Sequence, residues 1–186
     1  MSGREKRRPE QGNKKRRRRA RYLFIGLVLL VFGGAVAALL ATAVRAGVQV
    51  GKAAPEFAVP DLSGGTVALA DYRGRPVVIN FLATWCGPCW RELPDFDDAA
   101  DKYQDRGLVV LGVAVRDSRD SIQRLVNLLG LTFPIGLDPA GAVAIERYRI
   151  PGLPVTVFVD RQGVVRKYWT GPIDADSLNR FIAQIL

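Results

Sequence analysis

The sequence predicts an α/β domain, a mixed central sheet flanked by helices, and three observations carry that prediction. Apolar runs of strand length at 76–83, 108–115 and 155–159 alternate with stretches whose apolar residues recur at helical spacing. A pair of cysteines stands where the first of these runs gives way to a helical pattern, in Trp85-Cys86-Gly87-Pro88-Cys89. Near the C-terminus two β-rich segments flank Arg161-Gln162-Gly163, which predicts a closing antiparallel hairpin.

Taken in order, the elements begin with a hairpin of 57–59 and 66–69 joined around Gly64-Gly65. Residues 76–83 are apolar almost throughout, as a central strand covered on both faces requires. From 88 to about 106, Leu93, Phe96, Ala99 or Ala100, and Tyr103 share one helical face, with Asp95, Asp97, Asp98 and Asp101 among the polar positions. Gly107 ends that helix, and Pro94 inside it is expected to introduce a kink, because it deletes one backbone hydrogen bond. A second buried strand is expected at 108–115, then an amphipathic helix at 121–129 carrying Ile122, Leu125, Val126 and Leu129. A short extra strand at 133–137 and a helix at 139–148 complete the middle of the chain. After the strands 155–159 and 164–169, a last helix starts from a cap at Asp174 and runs through Leu178, Phe181, Ile182 and Ile185. No internal repeat is present.

The two cysteines are the only ones in the chain. Separated by two residues, they can close a small ring and reopen it, storing two electrons. As a structural staple the pair would do little: a ring of four residues contributes roughly 1.9 kcal/mol, against about 3 for a fifteen-residue loop. Zinc would need two further ligands, and the chain has no histidine and no other cysteine. Covalent haem attachment would need histidine after Cys89, where Trp90 stands. Neither a metal nor a cofactor is expected.

The net charge of +9 comes from one place. Residues 1–21 carry eleven Lys or Arg and two Glu, and the remaining 165 residues balance. No aromatic or glycine pattern interleaves these charges, so the tail is read as a topological signal attracted to anionic lipid, not as a nucleic-acid site. Residues 22–44 follow without a charge or a proline. As a helix these 23 residues would be about 34 Å long, enough for a hydrocarbon core of about 30 Å. Ala41-Thr42-Ala43 resembles a cleavage site, but both the basic and the apolar segments are too long for a signal peptide, which favours a retained anchor. With the basic cluster on its N-terminal side, the tail stays in the cytoplasm and everything after Arg45 emerges on the far side. The organisation expected is thus a basic cytoplasmic tail at 1–21, a single transmembrane anchor at 22–44, a linker at 45–54 and a catalytic domain at 55–186. The dithiol then lies outside the cytoplasm, where disulfides persist and where a reductant needs electrons relayed across the membrane.

Several motifs point to a family. The dithiol after Val77-Val78-Ile79-Asn80-Phe81, and Gly152-Leu153-Pro154 opening Val155-Thr156-Val157-Phe158-Val159-Asp160, resemble thioredoxin. The Pro55-Glu56-Phe57 opening, the Arg91-Glu92-Leu93-Pro94 segment and the extra helix and strand between Ser118 and Leu137 are similar to the membrane-anchored, extracytoplasmic TlpA/ResA type. That resemblance covers 55–186 and implies a thioredoxin-like fold with an N-terminal hairpin and a central helix-strand insertion. It also implies a cis peptide before Pro154, a docking surface formed by Trp85, Leu153 and Pro154, and protein disulfides and thiols as partners. A thiol-disulfide transporter in the membrane would supply electrons, and apocytochrome c maturation is the substrate class implied.

Chemistry assigns the thiols their roles. Cys86 precedes a helix, where unpaired N–H groups and the dipole favour a thiolate, so it attacks; Cys89, one turn in, resolves the mixed disulfide. Lowering a thiol pKa from about 8.5 to about 7 raises its thiolate fraction roughly sixteen-fold but cuts nucleophilicity roughly five-fold, so the larger effects fall on leaving-group ability and redox poise. Glu92 matches an acid that tunes the dithiol in the resembling branch, or else complements the helix dipole as a first-turn acid. Asn80 departs from thioredoxin, which carries a buried acid six residues before the first cysteine. Trp85 borders the docking surface, while Trp90 packs or lies exposed. The expected function is a membrane-tethered thiol-disulfide oxidoreductase, a reductant with a monomeric catalytic domain. A thiol peroxidase is the alternative enzyme, although its Pro-x-x-x-Thr-x-x-Cys pattern is absent; a thioredoxin-like binding module without turnover is the alternative from another class.

Overall fold

A computed structural model describes residues 47–186, together with Ile25, Leu29, Leu30, Gly33 and Gly34. The basic tail and the proposed anchor fall otherwise outside the described residues. Among the described residues no helix is long and apolar enough to cross a membrane.

Strands form where β-branched and apolar residues run together. β1 (Ala58–Pro60) and β2 (Thr66–Ala68) make the expected hairpin, antiparallel with Val59 opposite Val67. β3 (Val77–Leu82) and β4 (Val109–Val115) are buried along their whole length and pair in parallel. β5 (Ile135–Asp138), the extra strand, extends the parallel part, while β6 (Val155–Val159) runs antiparallel to β3 and β7 (Val165–Thr170) antiparallel to β6. The five-stranded order is β5-β4-β3-β6-β7.

Three α-helices accompany the sheet: α1 (Gly87–Tyr103), α2 (Arg119–Leu129) and α3 (Ala175–Ile182). Ser118 caps α2 and Asp174 caps α3, each accepting a hydrogen bond from a backbone N–H three residues on, where the first turn has no internal acceptor. Pro94 lies inside α1, which continues past it as one helix.

The helices do not cover both faces. All three α-helices pack on one, burying Leu93, Phe96, Ile122, Leu125, Leu178 and Ile182 against Val78 and Leu82 of β3. On the other face the hairpin residues Phe57, Val59 and Val67 join Val77, Ile79 and Phe81. The segment expected as a helix at 139–148 contributes Val143, Ala144 and Tyr148 to that second layer, wound as a π-helix over Ala142–Arg147. Its first turn is set by the Asp138 carboxylate, whose Oδ2 accepts from the N–H groups of Val143 and Ala144 at 3.1 and 2.9 Å.

The residues described from 47 onward belong to one compact unit. The N–H groups of Gly51 and Ala54 donate to Val165 and Gly163, so part of the segment read as a linker is pinned to the start of β7.

Candidate active site

The alternation of β3 decides what lies beneath the dithiol. Val77, Ile79 and Phe81 face the hairpin layer, whereas Val78, Asn80 and Leu82 face the helix layer that holds Cys86 and Cys89. After Leu82 the chain turns, with Cys86 N–H donating to Ala83 O at 3.2 Å, and Cys86 takes the N-cap position of α1 in an extended conformation. Pro88 falls within the first turn, where its missing N–H costs nothing. Cys86 and Cys89 are joined in a disulfide, S–S 2.01 Å with Cα atoms 5.4 Å apart, so the oxidised state is the one described. Cys89 is fully buried and Cys86 is 5% exposed, a narrower opening than an accessible attacking sulfur suggests. Beside it Trp85 is 62% exposed and forms the apolar rim.

The turn carrying the cysteines is clamped from β4. The Asp117 Oδ2 accepts from both the N–H and the hydroxyl of Thr84, at 2.6 and 2.7 Å, and its Oδ1 accepts from Ser118 N–H at 2.8 Å. Trp90 is half-buried, and its indole N–H donates to Thr84 O at 2.9 Å, which fixes the third polar group of that residue. Thr84 and Asp117 were not singled out from the sequence. Asp117 did carry a signal: it stands two residues after a buried strand, at the end where the dithiol lies, and just before the Ser118 cap.

Glu92 does not sit at the surface as a first-turn acid complementing the dipole. It is 2% exposed, on the face of α1 that also buries Cys89, one turn away. Its Oε1 accepts from Asn80 Nδ2 at 2.9 Å and its Oε2 from Ile173 N–H at 3.0 Å. Burial outweighs these two bonds and, with the charge of Asp95, pushes its pKa up to about 7. Asn80 also donates to Thr156 Oγ1 at 3.2 Å, because β3 and β6 place the two residues directly opposite each other. A cleft of about 330 Å³ opens next to this group, lined by Pro88, Arg91, Glu92, Pro172, Ile173 and Asp174.

The Leu153-Pro154 bond is cis. Phe81 pairs with Val155, so Pro154 stands at the end of β6 nearest the turn that carries Cys86. Pro154 O accepts from Gly171 N–H at 2.9 Å, and Leu153 is half-buried between the two core layers. Cys86, Cys89, Glu92, Trp85, Leu153 and Pro154 therefore all belong to the same end of the sheet. Among the described residues no three His, Cys, Asp or Glu side chains gather as metal ligands.

The chain is similar to known proteins in sequence and in fold. Residues 50–168 match the AhpC/TSA family. The chain is 36% identical over 141 residues to the thiol-disulfide oxidoreductase ResA of Geobacillus kaustophilus, covering 76% of this chain and 80% of that one. It is 32% identical over 168 residues to ResA of Bacillus anthracis, covering 89% and 96%. A crystal structure from Chlorobium tepidum, of a candidate thiol:disulfide interchange protein DsbE, superposes with a TM-score of 0.69 at 29% identity over 75% of this chain and 99% of that one. The fold, the CxxC disulfide and these relatives together make the chain a member of the AhpC/TSA family and, within the thioredoxin superfamily, a thiol-disulfide oxidoreductase of the TlpA/ResA type.

Proposed function

We propose that this enzyme is a membrane-tethered reductant of extracytoplasmic protein disulfides, with apocytochrome c as its substrate class. The observation that carries the chemistry is the placement of Glu92, a buried carboxyl with a pKa of about 7, one helical turn from the buried cysteine. In the reduced enzyme the Cys86 thiolate attacks one sulfur of a substrate disulfide seated against Trp85 and the Leu153-Pro154 edge. The substrate S–S bond breaks, and the released thiolate takes a proton from water. Cys89 gives its proton to the Glu92 carboxylate and attacks Cys86 Sγ, expelling the second substrate thiolate. Two electrons pass to the substrate, and the enzyme is left in the disulfide state described above. A thiol-disulfide transporter in the membrane would return the two electrons.

Support for the tether comes from the sequence: 23 uncharged residues follow a tail with a net charge of +9. Leu29 and Leu30 within that stretch are helical and 67% and 76% exposed, which suits lipid better than water. The alignment with the Bacillus anthracis relative spans 168 residues, so it reaches back into this stretch. A tether holds the dithiol at high effective concentration near a membrane relay.

Capture in the native membrane tests the proposal. With Cys89→Ser the resolving thiol is gone and mixed disulfides through Cys86 accumulate. Recovery of apocytochrome and a membrane electron carrier, with the enzyme in the membrane fraction, is the expected result. Newly secreted, still unbridged proteins as the main captives would make the enzyme an oxidase instead. A chain recovered in the soluble fraction would sink the tether.

A further inference from the structure

The amide beneath the dithiol has an unusual balance of hydrogen bonds. Both N–H bonds of Asn80 are used, toward Glu92 Oε1 at 2.9 Å and Thr156 Oγ1 at 3.2 Å, while Asn80 Oδ1, in a side chain with no exposed surface, has no partner. A buried acceptor left unmade is costly, and one such atom in the middle of a sheet calls for an explanation. Glu92 supplies one. As an ionised carboxylate it is acceptor-only, and the arrangement suits it: Oε1 takes the Asn80 N–H, and Oε2 takes the Ile173 N–H.

The same arrangement does not suit the protonated acid. A proton on Glu92 Oε1 would face the Asn80 N–H, donor against donor. A half-turn of the amide exchanges its oxygen and nitrogen, which are nearly equal in size. Asn80 Oδ1 then accepts from the Glu92 O–H, and it can accept from the Thr156 hydroxyl as well, since that hydrogen rotates freely. Both contacts reverse their direction, and no heavy atom moves except the amide oxygen and nitrogen that change places. The partnerless position passes from the oxygen to the nitrogen with its two N–H bonds, so neither state is fully satisfied and neither is locked in.

We propose that Asn80 is the positioning residue that makes the buried acid reversible: its side-chain amide turns over with the protonation of Glu92, donating to the carboxylate and accepting from the carboxylic acid. The proposal rests on the oxidoreductase reading above, in which Glu92 takes the proton that Cys89 gives up before it attacks. The surrounding charges do not do this work. Asp95 lies one turn further along α1 and opposes ionisation, Arg91 and Asp174 line the adjoining cleft, and β3 and β6 present Asn80 and Thr156, neither of which titrates. An aspartate at position 80 would place a second carboxylate against the first, so that the pair could not ionise together. A leucine would serve neither state.

The test is a titration of the full-length oxidised protein, in which neither cysteine carries a titrating proton. The carboxyl carbon of Glu92 is followed by NMR and assigned by its absence from Glu92→Gln; the Asn80 side-chain NH₂ signals are followed in the same samples. The Glu92 midpoint falls near pH 7, and the Asn80 N–H signals move with the same midpoint, from the hydrogen-bonded position at high pH to the unbonded one at low pH. In Asn80→Leu the Glu92 midpoint rises by about one pH unit, because the donor lost was worth more to the charged form than the acceptor was to the neutral one. Asn80 signals that stay still while Glu92 titrates would overturn the proposal, as would a Glu92 midpoint within about 0.3 of the wild type in Asn80→Leu. The wild-type measurement decides the matter even where the variant fails to fold. Disulfide reduction by the wild type and by Cys86→Ser is assayed alongside: an inert amide in an enzyme that still needs Cys86 sinks this inference alone, whereas activity indifferent to Cys86 sinks the oxidoreductase reading.

Discussion

Replacing Glu92 by glutamine should change how the stability of the enzyme responds to pH. In the folded protein the carboxyl has a pKa of about 7 against an ordinary 4.5, with burial as the largest cause. A raised pKa means that the native state holds a proton which the unfolded chain has already released, so stability falls as pH rises. The contribution is whole below pH 4.5, is lost between 4.5 and 7, and stays lost above 7. At about 1.36 kcal/mol per pKa unit, that interval amounts to about 3 kcal/mol. Glutamine does not titrate. Any hydrogen bond it makes less well lowers stability equally at every pH, and the reading is therefore the difference between two pH values. Urea unfolding of the oxidised proteins at pH 4 and pH 8 measures it, with the disulfide intact so that the cysteines contribute nothing. Relative to wild type, Glu92→Gln should gain about 3 kcal/mol on going from pH 4 to pH 8. A gap that stays constant to within about 1 kcal/mol would mean that Glu92 ionises as a solvated acid does, and the proton-transfer role would fall with it.

Two further outcomes follow from the geometry. Asp117→Ala removes the carboxylate that holds both polar donors of Thr84, so the enzyme should lose about 2 kcal/mol of stability, and kcat/KM for a test disulfide should fall on the order of tenfold as the turn bearing Cys86 loosens; unchanged turnover would show that the clamp is idle. Gly136→Ala should destabilise by about 1–3 kcal/mol in urea unfolding without altering turnover, because its Cβ would run into the Val59 side chain and come within 3.0 Å of Val67, where the hairpin crosses β5; a variant as stable as the parent would mean that the hairpin gives way freely.

Legibility in the sequence followed distance along the chain. The dithiol, the hairpin, the cap at Asp174 and the two apolar strands were readable because each depends on a few adjacent residues, whereas the helix expected from 121 starts earlier, capped by Ser118. The π-helical turn was not: the Asp138 carboxylate and Gly141 at positive φ set its start, and a run of Ala, Val and Ile with one Glu and one Arg fits either helical form. The clamp was missed for a different reason. Thr84 and Asp117 are 33 positions apart, and only the parallel pairing of β3 and β4 puts the end of one strand beside the end of the other.

The acid beneath the dithiol lies between these cases. An amide at position 80, where thioredoxin has a carboxyl, was visible in the sequence and made Glu92 the better candidate, but the choice between a tuning acid and a surface acid stayed open. The structure excludes the surface acid, because three remote segments meet around Glu92: Asn80 from β3, Thr156 from β6, which joins the sheet 76 positions later, and the Ile173 N–H, 81 positions beyond Glu92, from the loop before α3. Burial raises the pKa of the acid, and the two donors keep its ionised form within reach near neutral pH. Moving the carboxyl from the strand to the helix also changes its outlook. An acid on β3 would sit below the sulfurs and behind the helix, whereas Glu92 reaches the cleft lined by Pro88, Pro172 and Ile173, so a proton taken up there, as proposed above, would lie beside a surface open to a partner chain.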